Sequence, residues 1–371
     1  MIDSFSSNAT EAVVAIPAKD EEDFLKPCLD AVLGQTVRPD VVLLLLNNCR
    51  DNSLAYLKTL QGQHPELIVA ETDLPPPLAC AGAARRVALN LAAAFIKDGV
   101  LLTTDADSVV PLDWVARNLA EIRNGADMVC GQAQLLEMDR ASLPVTLHLH
   151  EAREAQYLAV LDEIAAMMDP DPADCWPRHQ QHSGASMAMT ISAYRRAGGV
   201  PMVRFGEDRA LAASFRRVDA RIRHAPDIFV GVSGRLEGRA EAGMAATLRR
   251  RMEMPDKLAD DLLEPLPAGL HRLRARKALR LLWAKGGDGR ALARALRVPP
   301  RALHTAVALP YFGAAWERLQ SLSPALRRVP MPMSALAAQT RMALRVRDDL
   351  RASYGRAATA KPSAKAWRRA G

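Results

Sequence analysis

Residues 41–46 are six apolar residues in succession, and the chain turns polar at once with Asn47-Asn48. Such a run is the signature of a strand buried on both faces, as the strands of a parallel sheet are. Neighbouring segments fit the same architecture. Residues 13–16, 67–70 and 100–104 are further short apolar runs. Phe24, Leu25, Cys28, Leu29, Val32 and Leu33 recur at helical spacing within residues 23–35, and 79–97 is Ala-rich and helical. Strand and helix alternate, so the expected class is α/β with a mostly parallel central sheet. In such sheets ligands sit beyond the carboxyl ends of the strands, which directs attention to the residues just after each one.

The pattern continues less cleanly. Trp114–Arg123 predicts a helix, residues 128–136 a strand, and 151–168 a long helix closed by Pro170 and Pro172. Beyond Pro255 the texture changes to Ala, Arg and Leu. Residues 270–284 and 290–296 predict amphipathic helices with one Arg-rich face, and 353–371 is poor in apolar residues and expected to be flexible. The division is an α/β domain over residues 1–250, a basic helical C-terminal region over 251–352, and a tail over 353–371.

Charge separates along the same line. Residues 1–240 carry 23 Lys and Arg against 32 Asp and Glu, while residues 241–371 carry 26 against 10. A basic region of this kind can bind phosphates, but no aromatic interleaving or nucleic-acid motif accompanies it, so nucleic acid is not an expected partner. Leu270, Leu273, Leu281, Leu282 and Trp283 give it an apolar face instead, which predicts helices packed on the catalytic body. The five cysteines have no CxxC spacing, against a disulfide framework or structural zinc. The N-terminus lacks a basic, then apolar, leader pattern, and no window is apolar enough for a membrane span. A cytoplasmic location is expected, with peripheral membrane contact through the basic end left open.

Three polar clusters follow the strands. Pro17-Ala18-Lys19-Asp20-Glu21-Glu22 follows the first, Asn47-Asn48-Cys49 the second, and Asp105-Ala106-Asp107 the fourth. Two carboxylates at i and i+2 leaving a strand can share one hard divalent cation, Mg²⁺ or Mn²⁺, and leave positions open for substrate phosphates. Each cluster alone has a plainer reading: a helix N-terminus, a turn, a pair of solvated acids.

Taken in order, the three clusters resemble the nucleotide-sugar half of a family 2 glycosyltransferase of the GT-A fold. The resemblance extends through His182-Ser183-Gly184, Tyr194 with Gly198-Gly199, and Gly206-Glu207-Asp208, covering about residues 12–240. It implies a nucleoside-diphosphate-sugar donor lying against Pro17, Ala18, Lys19, Glu21, Asn48, Arg85, Arg86 and Asp105, with a divalent metal on Asp105 and Asp107. His224, in Arg-Ile-Arg-His, stands where some related enzymes place a third metal ligand. Arg235 and Arg239 lie in a Gly-punctuated basic loop suited to a phosphate clamp. Asp208 is the implied general base, with Glu207 orienting it or holding the acceptor. The family often has Asp where this chain has Asn48, which leaves the base open. The membrane synthases' Gln-x-x-Arg-Trp is missing, against a processive polysaccharide synthase.

The expected function is therefore metal-assisted, inverting transfer of a sugar to a hydroxyl on a small-molecule or glycan acceptor. Two alternatives stand beside it: a sugar-phosphate nucleotidyltransferase, disfavoured because residues 17–22 contain no Gly, and a non-catalytic binding module acting through the basic region.

Overall fold

The computed structural model describes residues 12–76, 78–238, 243–254 and 256–359. Strand and helix alternate from the start: β1 (Ala12–Ala18), α1 (Glu22–Leu33), β2 (Val41–Asn47), α2 (Ser53–Gln61), β3 (Leu67–Thr72), α3 (Ala81–Ala92) and β4 (Val100–Thr103). There follow β5 (Ser108–Val109), α4 (Trp114–Arg123), β6 (Met128–Leu135), α5 (Glu137–Ser142), α6 (Val145–Met168), β7 (Met187–Thr190), α7 (Ile191–Ala197), α8 (Glu207–Arg217) and β8 (Ile222–Val232). Helices complete the chain: α9 (Met244–Glu253), α10 (Leu266–Lys285), α11 (Arg290–Leu296), α12 (Pro300–Val307), α13 (Phe312–Leu322) and α14 (Leu336–Thr359).

The eight strands form one sheet in the order β3-β2-β1-β4-β7-β6-β8-β5. β1, β2, β3 and β4 pair in parallel, as do β6 and β8. β7 runs antiparallel to both β4 and β6, and β5 to β8. The sheet is thus mixed and mostly parallel, within the expected α/β class. Every residue of β2 is buried. Val42, Leu44 and Leu46 join a core layer with Leu25, Leu29 and Trp114, while Val41, Leu43 and Leu45 join the opposite layer with Leu89, Tyr194 and Phe215. Each fully buried Leu or Val contributes about 1.5–3 kcal/mol, so β2 is fixed from both sides. The long helix α6 starts at Val145, earlier than the predicted residue 151, directly after Pro144 as its N-cap.

The basic C-terminal helices are packed, and several of their arginines pair with acids of the α/β domain. α10 to α13 enclose a core around Leu279, Leu296, Phe312 and Leu319. A second core joins α6, α10 and α14 through Tyr157, Ile164, Leu266 and Leu336. Leu270 and Leu273 pack against the second core and Leu282 and Trp283 against the first, whereas Leu281 is 51% exposed. Acids of α6 and its end receive the arginines: Glu154 pairs with Arg251, Glu163 with Arg351, and Asp169 with Arg276 and Arg280. On the other side, Asp219 accepts the backbone N–H groups of Phe312 (2.6 Å) and Gly313 (2.7 Å) at the start of α13. Among the described residues no helix is long and apolar enough to cross a membrane.

Candidate active site

At the end of β4 the chain leaves the sheet as Asp105-Ala106-Asp107. Ala106 is buried in the core layer beneath, and the acids on either side of it reach different arginines.

Asp105 pairs with Arg85, which α3 carries under the sheet end. The guanidinium is almost wholly enclosed. Its Nε donates to Glu207 Oε1 at 3.1 Å, and one terminal nitrogen donates to Thr103 Oγ1 (2.9 Å) and to the carbonyl of Gly184 (3.1 Å). Burial opposes the charge, but Asp105 and Glu207 together hold the Arg85 pKa above its ordinary value. A side chain at position 184 would drive a Cβ to 2.3 Å from that guanidinium. Glycine is therefore needed there for close approach.

Glu207 and Asp208 open α8, behind Gly206 in the left-handed region (φ +69°). Acids in a first helical turn are favoured by the exposed N–H groups, so position and charge agree. Asp208 accepts from the backbone of Gly184 at 3.4 Å and from that of Arg209 at 2.7 Å. Burial, then the neighbouring Glu207 charge, raises its pKa above the ordinary carboxylate value.

Asp107 turns to Arg235, in the loop after β8, at 2.9 Å. The same guanidinium takes Glu21 in a two-pronged pair at 2.5 and 2.6 Å. Two arginines thus stand among four carboxylates, with Asp208 a fifth beside them. Burial, then Asp105, pushes the Asp107 carboxyl up to about 7 even with Arg235 pulling it down. A carboxyl held this far up in a cluster of hard oxygens is short of positive charge. Asp105 and Asp107 are hard oxygen donors of the kind a divalent cation takes, each now paired with a different arginine.

The other expected residues among those described have their own partners or places in the fold. Pro17 and Ala18 are the last residues of β1, with the Ala18 carbonyl accepting from the Asn47 amide (3.3 Å), and Lys19 follows, half-buried. Asn48 has φ +52°, and its amide is committed to the backbone of Leu74, donating at 3.1 Å and accepting at 3.2 Å. Arg86 donates to the carbonyl of Val200. His224 is buried on β8, where Nδ1 meets Asp174 Oδ2 at 2.9 Å and Nε2 meets His182 Nε2 at 3.0 Å. Burial, then the Arg216 charge, pushes the His182 pKa down to about 2, so this ring is neutral. Arg239 lies outside the described residues. A separate group, Asp20, Cys49 and Asp51, brings three ligand atoms within 4.8 Å of one another. Its oxygens accept the backbone N–H groups of Arg50, Glu22 and Ser53, which tie the β1 and β2 loops together.

Thr103 and Gly184 escaped the residue-type reading, because neither has chemistry of its own. Their part is to shape the seat of Arg85, and Gly184 entered the sequence reading only through the His182-Ser183-Gly184 resemblance.

Residues 13–159 match the model of glycosyl transferase family 2. The resemblance to family 2 glycosyltransferases holds. The family 2 match spans β1 to α6 and includes Glu21, Arg85, Asp105 and Asp107, but stops before Glu207-Asp208, short of the expected residue 240. No curated protein matches this chain. Among solved structures, it is similar to S. aureus TarS in complex with UDP-GlcNAc (15% identity over 92% of each chain, TM-score 0.46). It is also similar to the mannosyltransferase PcManGT from Pyrobaculum calidifontis with GDP-Man and Mn²⁺ (16% identity, 96% of this chain and 89% of that one, TM-score 0.42). Likeness at that level carries no argument about substrate or mechanism.

Proposed function

We propose that this chain transfers a glycosyl group from a nucleoside-diphosphate sugar to an acceptor hydroxyl, with inversion at the anomeric carbon. One observation carries the reading: buried Arg85 joins the Asp-Ala-Asp turn of β4 to the Glu207-Asp208 start of α8. A candidate cation site and a candidate base thereby share one anchor. Residues 1–250 would be the catalytic unit, with 251–352 as its helical support.

Pro17, Ala18, Lys19 and Asn48, at the ends of β1 and β2, would border the nucleoside, with Asn48 bracing that rim through Leu74. A Mg²⁺ or Mn²⁺ on Asp105 and Asp107 would supply charge neutralisation for the departing diphosphate. Asp208 takes the acceptor proton as the acceptor oxygen bonds to the anomeric carbon. The bond from that carbon to the diphosphate oxygen breaks, and its electron pair leaves with the diphosphate. The raised pKa of Asp208 moves it toward the operating range of a base. Glu207, fixed by Arg85, keeps the first turn of α8 in place.

The binding-module alternative is weakened by the C-terminal arginines, several of which are spent on Glu154, Glu163 and Asp169. Nucleoside diphosphate release from a panel of UDP- and GDP-sugars with Mn²⁺ tests the proposal. Release that Asp208→Asn reduces supports it; no release from any donor contradicts it.

A further inference from the structure

Arg235 occupies an unusual position for a donor-binding residue. Its NH1 lies 2.5 Å from Glu21 Oε2, and its NH2 lies 2.6 Å from Glu21 Oε1 and 2.9 Å from Asp107 Oδ2. The side chains are shielded, 19% exposed for Arg235, 7% for Glu21 and 23% for Asp107. The guanidinium also lies over the Phe24 ring, 4.8 Å from its centroid. Behind it the loop is pinned, because Gly234 N–H donates to Asp139 at 2.7 Å and a Cβ at 234 would meet Asp139 at 2.7 Å. The backbone is fixed while the long side chain can pivot.

The two acids are held differently. Glu21 engages both terminal nitrogens, the geometry in which Arg and carboxylate fit best. Asp107 makes a single ion-pair contact, with NH2 alone. Arg235 can release Asp107 and keep Glu21.

We infer that Arg235 is a resident cation that competes with the divalent metal for Asp107, so that metal binds well only when a nucleoside diphosphate arrives with it. The inference rests on the reading of Asp107 as a cation ligand. Metal alone must share one carboxylate with a guanidinium, and like charges repel. A diphosphate brings negative charge for both: its oxygens can bind the metal and pair with the guanidinium that Asp107 releases. Metal and nucleotide are then coupled, and coupling is reciprocal. The structure supplies the competitor from its own chain, 214 residues from Glu21.

The test is Mn²⁺ binding to the full chain, read by electron paramagnetic resonance, with UDP and GDP as probes. In the wild type either UDP or GDP should raise Mn²⁺ affinity by about tenfold or more, within the usual range of such couplings. Arg235→Met should bind Mn²⁺ alone more tightly by a similar factor and lose most of the nucleotide-induced gain. Arg235→Lys, which keeps the charge, should bind Mn²⁺ alone no more tightly than wild type. Equal or weaker Mn²⁺ binding by Arg235→Met, with binding still lost in Asp107→Ala, overturns the competition and leaves the cation site standing. No Mn²⁺ binding by any variant, with or without UDP or GDP, overturns both. Should Arg235→Met not fold, Phe24→Leu removes the ring under the guanidinium and leaves every carboxylate in place. It should tighten Mn²⁺ binding to a smaller degree, and an unchanged affinity in that folded variant counts against the inference.

Discussion

Arg85 and Glu207 are 122 residues apart in sequence and meet as a buried ion pair, Nε to Oε1 at 3.1 Å. Removing one partner of such a pair leaves the other charge enclosed and uncompensated, at a cost of roughly 3–5 kcal/mol. Arg85→Met should therefore lower unfolding free energy by that order in denaturant titration, since Asp105 and Glu207 both lose their partner. Arg85→Lys should recover little, because an ammonium cannot serve Glu207, Thr103, Gly184 and Asp105 from one planar fork. Near wild-type stability in Arg85→Met would show that Arg85 does not anchor the site.

Asp208→Asn keeps one acceptor oxygen for the Arg209 N–H (2.7 Å) and gives up only the longer bond from Gly184 (3.4 Å), so the first turn of α8 should stay. What it loses is the capacity to take a proton. Glycosyl transfer should drop by about 10²-fold or more while nucleoside diphosphate affinity holds. Unimpaired turnover would move the base to another acid.

Asp162 on α6 is an acid the proposed mechanism does not use. Burial pushes its carboxyl up to about 7, although the Gln180 amide donates to it. Its folded-state pKa lies above the unfolded one, so the folded state binds more protons between about pH 4 and pH 7. Stability therefore falls as pH rises through that window. Asp162→Asn should flatten the fall, leaving a gain on the order of a few kcal/mol at pH 8 and little difference at pH 4. A pH-stability profile of the variant that parallels the wild type would contradict the assignment.

Docking of the C-terminal helices has its own probe. Gly313 packs so closely on α8 that an added Cβ would lie 1.7 Å from the Arg216 carbonyl. Gly313→Ala should disturb the seating of α13 and open sites beyond residue 300 to trypsin. Asp219→Asn, which keeps one carbonyl acceptor but loses the charge at the α13 N-terminus, should cost only about 1 kcal/mol. Equal protease resistance of Gly313→Ala and wild type would show that this contact does not hold the helices.

The parts of the fold legible in the sequence are those set by local pattern. The apolar run of β2 declared its burial on both faces, and Asp105-Ala106-Asp107 declared itself by spacing after a strand. The direction of β7 was not legible, since Met187-Ala-Met-Thr is equally apolar in a parallel or an antiparallel slot. Nor could pattern reveal that Arg85 lies beneath the acids or that Arg235 reaches back to Glu21, because those pairings depend on how distant segments fold together. The same holds for the charge asymmetry. The charge asymmetry and the apolar face of the basic region predicted packing on the body but not its partners: Glu163 on α6 and Asp169 just beyond it receive Arg351, Arg276 and Arg280.

The claim that a nucleoside diphosphate binds here through a cation on Asp107 is tested most directly by thermal shift. Wild type and Asp107→Ala are each melted with UDP or GDP, in the presence and absence of MnCl₂. A ligand that binds only the folded state raises its melting temperature. For the wild type a shift is predicted with at least one nucleotide, larger with Mn²⁺ than without. For Asp107→Ala the Mn²⁺-dependent part of the shift should vanish, with the unliganded melt remaining a single cooperative transition. A Mn²⁺-dependent shift of equal size in both proteins would contradict the account.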